Sequence, residues 1–188
     1  MAKQANPIDP LAASAPPPGQ PGGRGKTMAA LIALVGAGTA AIIVPETQHW
    51  EGKRNKAYLD IAGIPTICFG DTANVRMGQV ASDAECDERL AQQLLNHARP
   101  VLKCVPELAL PERQQQRAAS IVLAYNIGTG AFCKSTAARR FNAGDWRGGC
   151  NAFLAWNKAR VGGQLQPVRG LTNRRRAEHA VCEKGLPR

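Results

Sequence analysis

Aromatic side chains make up only 5% of the 188 residues, and the three histidines, His49, His97 and His179, are scattered. So thin a supply offers no aromatic RNA platform, and no recognition helix is evident. A C-x-x-C pair and the paired Cys/His spacing of a structural zinc site are both missing, so no metal or organic cofactor is implied. Cysteine is absent from the first 67 residues. Uncharged apolar runs are also absent, save one, which excludes a multi-span membrane protein. Acids are in deficit, with 14 Asp and Glu against 24 Lys and Arg and a net charge of +10. That imbalance points to a polyanionic partner, which charge alone does not name. No internal repeat is visible.

An apolar fraction of 44% is enough for a packed core in one compact domain with appendages. Residues 1–26 are rich in Pro, Gly, Ala and Gln, with PPPGQPGG at 16–23, and read as a disordered tail. The 19 residues from Thr27 to Pro45 then carry no charge. A buried core helix, a cleaved signal peptide and an uncleaved signal anchor are the three readings of this run. Small residues at 37–40 resemble a cleavage site, but Ile42, Ile43 and Val44 continue the run beyond it. The signal anchor over 27–45 is therefore preferred. Lys3, Arg24 and Lys26 against Asp9 give the preceding segment an excess of +2 and predict a cytoplasmic N-terminus. The other +8 belongs to the following domain, 46–188. Gly36, Gly38, Thr39 and the alanines make the anchor only weakly apolar, so its residence in a membrane is marginal.

Within 46–188, Ala57 to about Met77 predicts short strands broken by Gly63, Pro65 and Gly70. Ser82 and Glu85 have capping-box spacing and open a helix that continues to Val101. Pro111 suits the start of another, with Ala118, Ile121, Val122 and Tyr125 on one face and Gly128 and Gly130 at its end. Asp145 can cap a helix whose Trp146, Cys150, Phe153 and Leu154 share a face, and a basic helix follows from Thr172. The expected class is α+β: a small β-hairpin element in a mainly α-helical domain, preceded by one N-terminal anchor helix.

The segment WEGKRNKAYLDIAGIPTICFGDT, residues 50–72, contains Glu51, Asp60 and Thr66 in the spacing Glu-x8-Asp-x5-Thr. Cleaving a glycosidic bond needs one carboxylic acid to protonate the departing oxygen. It also needs a carboxylate to assist the nucleophile or stabilise positive charge at the anomeric carbon. A threonine hydroxyl can hold the attacking water. Singly, each residue has a plainer reading, as a solvated helix acid, a turn former or a strand residue.

Together, this segment resembles the catalytic region of the phage lysozymes of glycoside hydrolase family 24, the T-even-type relatives. The resemblance covers roughly residues 46–186. It continues through MGQVASDAECDERLAQQL, through residues 124–159 around AYNIGTGAFC, and through GLTNRRRAEHAVC at 170–182. It implies a lysozyme-like fold and hydrolysis of the β-1,4 bond between N-acetylmuramic acid and N-acetylglucosamine in peptidoglycan, with inversion. By carry-over, Glu51 is the general acid, Asp60 positions or activates water or stabilises the oxocarbenium-like state, and Thr66 helps place the water. Arg174 matches an arginine facing the catalytic Glu, and Tyr125 and Asn126 match a wall of the substrate cleft. Cys68-Phe69-Gly70-Asp71 departs from the Gly-Tyr-Gly-His of many relatives, so Asp71 is given no catalytic role.

The N-terminal region resembles the signal-anchor-release endolysins of the same family. That likeness implies export by the host machinery, tethering to the inner membrane with the domain in the periplasm, then release and host lysis. Only 6 residues separate Val44 from Glu51, so the anchor constrains the acid's helix. The anchor has no cysteine, which closes the disulfide-exchange route some relatives use. Six cysteines leave many pairings open. Cys68–Cys86, Cys104–Cys133 and Cys150–Cys182 are preferred, the first clipping the β-element to the next helix and the last tying two late helices. The expected protein is a monomer that binds peptidoglycan and no nucleic acid. Its rivals are a host periplasmic lytic transglycosylase, which needs no Asp/Thr partners, and a basic nucleic-acid-binding protein.

Overall fold

The computed structural model describes residues 25–60 and 62–187. Most of the tail expected at 1–26 lies outside the described residues. The uncharged run folds as two helices, α1 (Lys26–Val35) and α2 (Ala37–Glu51), which meet at 117°. Gly36 makes the corner with φ 82°, a conformation costly for any residue with a Cβ. No single described helix is long and apolar enough to cross a membrane, although the bent pair is by length and composition. Here the pair is packed into the protein. Leu31, Val35, Ala40 and Ile43 are buried in the same core as the rest of the domain. α1 lies along α3 (Asp83–Cys104) and α2 along α4 (Gln114–Ile127).

Polar groups of the pair are received by the body. The Thr27 N–H donates to Glu88 Oε1 at 3.3 Å, where a carboxylate suits a helix N-terminus. Gln48 Nε2 donates to Asp87 Oδ1 at 3.2 Å. Most buried is the Thr39 hydroxyl, which accepts from Arg117 Nε at 2.9 Å. Arg117 Nη1 donates to the Leu108 and Leu110 carbonyls, and burial pulls its guanidinium below the usual arginine range.

Glu51 ends the 15-residue α2, and Gly52 turns the chain into β1 (Arg54–Leu59). β1 pairs antiparallel with β2 (Pro65–Cys68), placing Tyr58 opposite Thr66 and Leu59 opposite Pro65. α3 opens with the expected capping box of Ser82 and Glu85. Pro111 begins a 3-10 turn, Pro111–Arg113, that runs directly into α4. Gly128 ends α4, whereas Gly130 lies inside the next helix, α5 (Thr129–Cys133). α6 (Thr136–Asn142) and α7 (Trp146–Asn151) follow, the latter capped by Asp145.

Leu154 leaves the face predicted for it and is 39% exposed. Residues Ala152–Ala155 form a 3-10 turn, whose tighter winding rotates the later positions off the α-helical stripe. The sequence reading missed a second antiparallel hairpin, β3 (Lys158–Val161) and β4 (Gln164–Pro167), turned by Gly162-Gly163. A Gly-Gly pair between two short runs is its available signal. α8 (Arg169–Glu183) closes the fold against α4.

All three preferred disulfides are present, with Cα separations of 5.0 Å for Cys68–Cys86, 5.7 Å for Cys104–Cys133 and 5.6 Å for Cys150–Cys182. They clip β2 to α3, α3 to α5, and α7 to α8. Replacing Cys150 and Cys182 together by Ala is expected to lower unfolding free energy by about 2–4 kcal/mol, read by urea denaturation. Thr39→Val keeps the side-chain shape but removes the acceptor for Arg117 Nε. An expected loss of about 1–3 kcal/mol would appear in the same assay, and an unchanged midpoint would argue against this clamp.

Candidate active site

Four elements converge on Glu51: the end of α2 that carries it, α3, α4 and α8. Arg174 on α8 donates from Nη1 to Glu51 Oε1 at 2.8 Å, and its guanidinium lies 5.9 Å from the centre of the Trp50 ring. Arg174 is buried, whereas the Glu51 side chain is 23% exposed. The acid is therefore backed by a cation and open on another side. Trp50 Nε1 donates to Glu46 Oε2 at 3.2 Å, which anchors the indole one turn back on α2.

Asp60 opens the turn of the first hairpin, and Thr66 stands on β2 just beyond that turn. Asp60 Oδ1 accepts from the N–H groups of Ala62 and Ile64 at 2.9 and 2.8 Å. This leaves Oδ2 without a protein partner among the described residues. Thr66 is 3% exposed, and its hydroxyl donates to the Ile64 carbonyl at 2.9 Å. With its proton so directed, the Thr66 oxygen faces any further polar group as an acceptor. Both side chains are thus fixed through Ile64. No hydrogen bond or ion pair joins either of them to Glu51 among the described residues.

Tyr125 and Asn126 lie at the end of α4. Tyr125 donates from its hydroxyl to the Phe69 carbonyl at 3.1 Å, tying α4 to the chain just beyond β2. Burial pushes its phenol well above the ordinary range, and the nearby carboxylates of Glu51 and Asp71 add to this against Arg174. Tyr125 consequently keeps its proton as a donor. Asn126 Oδ1 accepts from Arg175 Nη1 at 3.0 Å. Arg175 and Glu178, neither singled out in the sequence, complete a buried charge cluster with Arg174. Their i, i+3 and i, i+4 spacing on a helix was the signal for it.

Asp71 is engaged with α3. It accepts from Arg89 Nη1 at 2.5 Å, Gln93 Nε2 at 2.8 Å and the Ala73 N–H at 3.0 Å. Trp146 stacks on Phe141 and is covered by Arg113, and Trp156 is packed against the core. No group of three or more His, Cys, Asp or Glu that could hold a metal occurs among the described residues.

His97 on α3 packs its ring 4.8 Å from that of Tyr125, with Nδ1 placed 2.7 Å from the Gln93 carbonyl it donates to. Burial lowers its pKa below 6.5, while the Gln93 carbonyl and Glu51 oppose the shift. The unfolded chain takes up this proton near pH 6.5 and the folded protein only at lower pH. The His97 contribution to stability is therefore complete above pH 6.5 and lost as the pH falls through the folded value. His97→Gln is expected to flatten the acid-side decline in melting temperature relative to wild type, and parallel curves would exclude this role.

The chain is similar to known proteins over most of its length. The phage lysozyme family matches residues 48–178. The SAR-endolysin of Pseudomonas phage phiKMV is 39% identical over 132 residues, 70% of this chain and 80% of its own length. The SAR-endolysin of Enterobacteria phage P21 is 31% identical over 160 residues, 81% and 93% of the two chains. Among solved structures, the endolysin of Escherichia coli O157:H7 phage FAHEc1 is similar with a TM-score of 0.69 at 30% identity, over 82% of this chain and 96% of that one. With its lysozyme-like fold and this breadth of match, the chain belongs to the phage lysozyme family and is a peptidoglycan-hydrolysing endolysin.

Proposed function

We propose that the protein cleaves the β-1,4 bond between N-acetylmuramic acid and N-acetylglucosamine, with Glu51 as general acid and Asp60 and Thr66 managing the water. The observation that carries this reading is the Glu51–Arg174 pair, which holds one carboxylate oxygen at 2.8 Å where α2 leads into the hairpin that carries Asp60 and Thr66. Arg174 fixes Oε1, leaving Oε2 of the protonated acid to deliver its proton to the departing glycosidic oxygen. The attacking water gives one proton to Asp60 Oδ2 and keeps the other, which it donates in a hydrogen bond to Thr66 Oγ1. The water oxygen then adds to the anomeric carbon opposite the leaving group, which inverts the configuration. Afterwards Glu51 is ionised and Asp60 protonated, and exchange with solvent resets both. Tyr125 and Asn126 line the substrate side of this site.

The folded helix pair supports an exported enzyme released from a signal anchor. Stretched out, residues 27–45 would tether the protein to the host inner membrane with the N-terminus in the cytoplasm and the domain in the periplasm. Bent at Gly36 and packed, the same residues bring Glu51 to Arg174. Every described cysteine is paired, so release on this reading runs through refolding and not through thiol exchange. The enzyme acts as a monomer on the cell wall, and the excess of positive charge on residues 46–188 favours the wall's anionic groups.

Permeabilised Gram-negative cells should lose turbidity with wild type and not with Glu51→Gln. Asp60→Asn and Thr66→Ala should each reduce lysis at least about 100-fold. Lysis retained in both of these would instead favour a lytic transglycosylase, whose product closes a 1,6-anhydro ring without consuming water.

A further inference from the structure

Glu178 takes no part in the steps above, yet it is buried to 2% exposure at the centre of the charge cluster. It lines a crevice together with Ile42 and Glu46 of α2 and Ala118, Ala119 and Val122 of α4. Its Oε1 accepts from Arg174 Nε at 3.0 Å and from Arg175 Nη2 at 2.5 Å. The arginines then diverge: Arg174 Nη1 reaches Glu51, and Arg175 Nη1 reaches Asn126 Oδ1. A carboxylate so deep is tolerated only with cations in contact, and burial pushes Glu178 upward against the pull of both guanidiniums.

We infer that Glu178 is a positioning residue for the reaction: its carboxylate aims Arg174 at Glu51 and Arg175 at Asn126, so one buried charge sets the acid and the adjoining cleft wall together. Guanidinium has donors only, so contact with Arg175 requires the Asn126 oxygen to point inward. The amide N–H groups of Asn126 are then left for a ligand acceptor, such as the carbonyl of a sugar N-acetyl group. The effect on Glu51 is electrostatic as well. It is faced by Arg174 and Arg175 from α8, by His97 from α3 and by the neutral phenol of Tyr125 from α4. From α2, Glu46 lines the same crevice as Glu178, and Glu51 shares Arg174 with it. Glu178 cancels one of the two arginine charges. Without it Glu51 meets both, which favours its ionised form and withdraws the acid at lower pH.

The inference rests on Glu51 acting as the acid, and the test separates the two ideas. In the full chain, the Glu51 side-chain carboxyl is titrated by carbon-13 NMR, and kcat and KM are followed against pH on soluble peptidoglycan fragments. Glu178→Gln should move both the Glu51 titration and the alkaline limb of kcat about one pH unit lower. Its kcat should fall on the order of tenfold or more through misplacement of Arg174. Glu178→Asp, which keeps the charge, should restore the limb. Arg175→Lys keeps the charge but not the fork, and should raise KM several-fold with the limb unmoved. An unmoved Glu51 titration in Glu178→Gln overturns the inference, whatever happens to activity. A titration that moves while the limb stays put overturns the acid role of Glu51 and leaves the coupling to Glu178 standing. If Glu178→Gln does not fold, Arg175→Lys decides, and an unchanged KM overturns the inference.

Discussion

A 2.8 Å ion pair between Glu51 and Arg174 spans 123 residues of sequence and joins the last residue of α2 to α8. The site depends on this closure. α2 can present Glu51 to Arg174 only when the helix is docked against α4, and docking requires the corner at Gly36. Arg174 in turn is held from behind by Glu178, so the pair is braced from the body of the domain. A partly buried carboxylate in such a setting is stabilised by charge and geometry together, which exposed surface pairs are not.

The same constraint gives meaning to the weak hydrophobicity of the N-terminal run. Gly36, Gly38 and Thr39 make it a poor membrane span. In the folded protein, Gly36 supplies the bend and Thr39 the acceptor for a buried arginine. At Gly38 an added Cβ would fall 2.2 Å from Gln114 Oε1, so the end of that side chain would have to move aside. Residues that cost stability in hydrocarbon therefore contribute contacts in the domain. On the release route proposed above, that difference would move the segment from bilayer to domain without a chemical trigger.

The disulfides act on the parts of the fold with least internal support. A two-stranded hairpin is marginal by itself, and β1–β2 is fixed to α3 by Cys68–Cys86 with help from the Asp71–Arg89 pair. The short helices α5 and α7 are likewise joined to the long α3 and α8. The hairpin that carries Asp60 and Thr66 thereby gains a rigid base.

Much of this was legible in the sequence. Glu51, Asp60 and Thr66 stood out by spacing, Ser82 and Asp145 marked helix starts through local capping chemistry, and an even cysteine count in one domain implied disulfides. These signals depend on neighbours along the chain, which a sequence states directly. The tertiary structure alone decided that the uncharged run lies bent in the core, and that Leu154 escapes its predicted face. It alone showed that Arg117 receives Thr39 and that Glu178 links Glu51 to Asn126. Each of these depends on contacts between residues far apart in sequence, or on a switch of helix type. Local propensity does not encode which distant partner will bury a charge or complete a hydrogen bond.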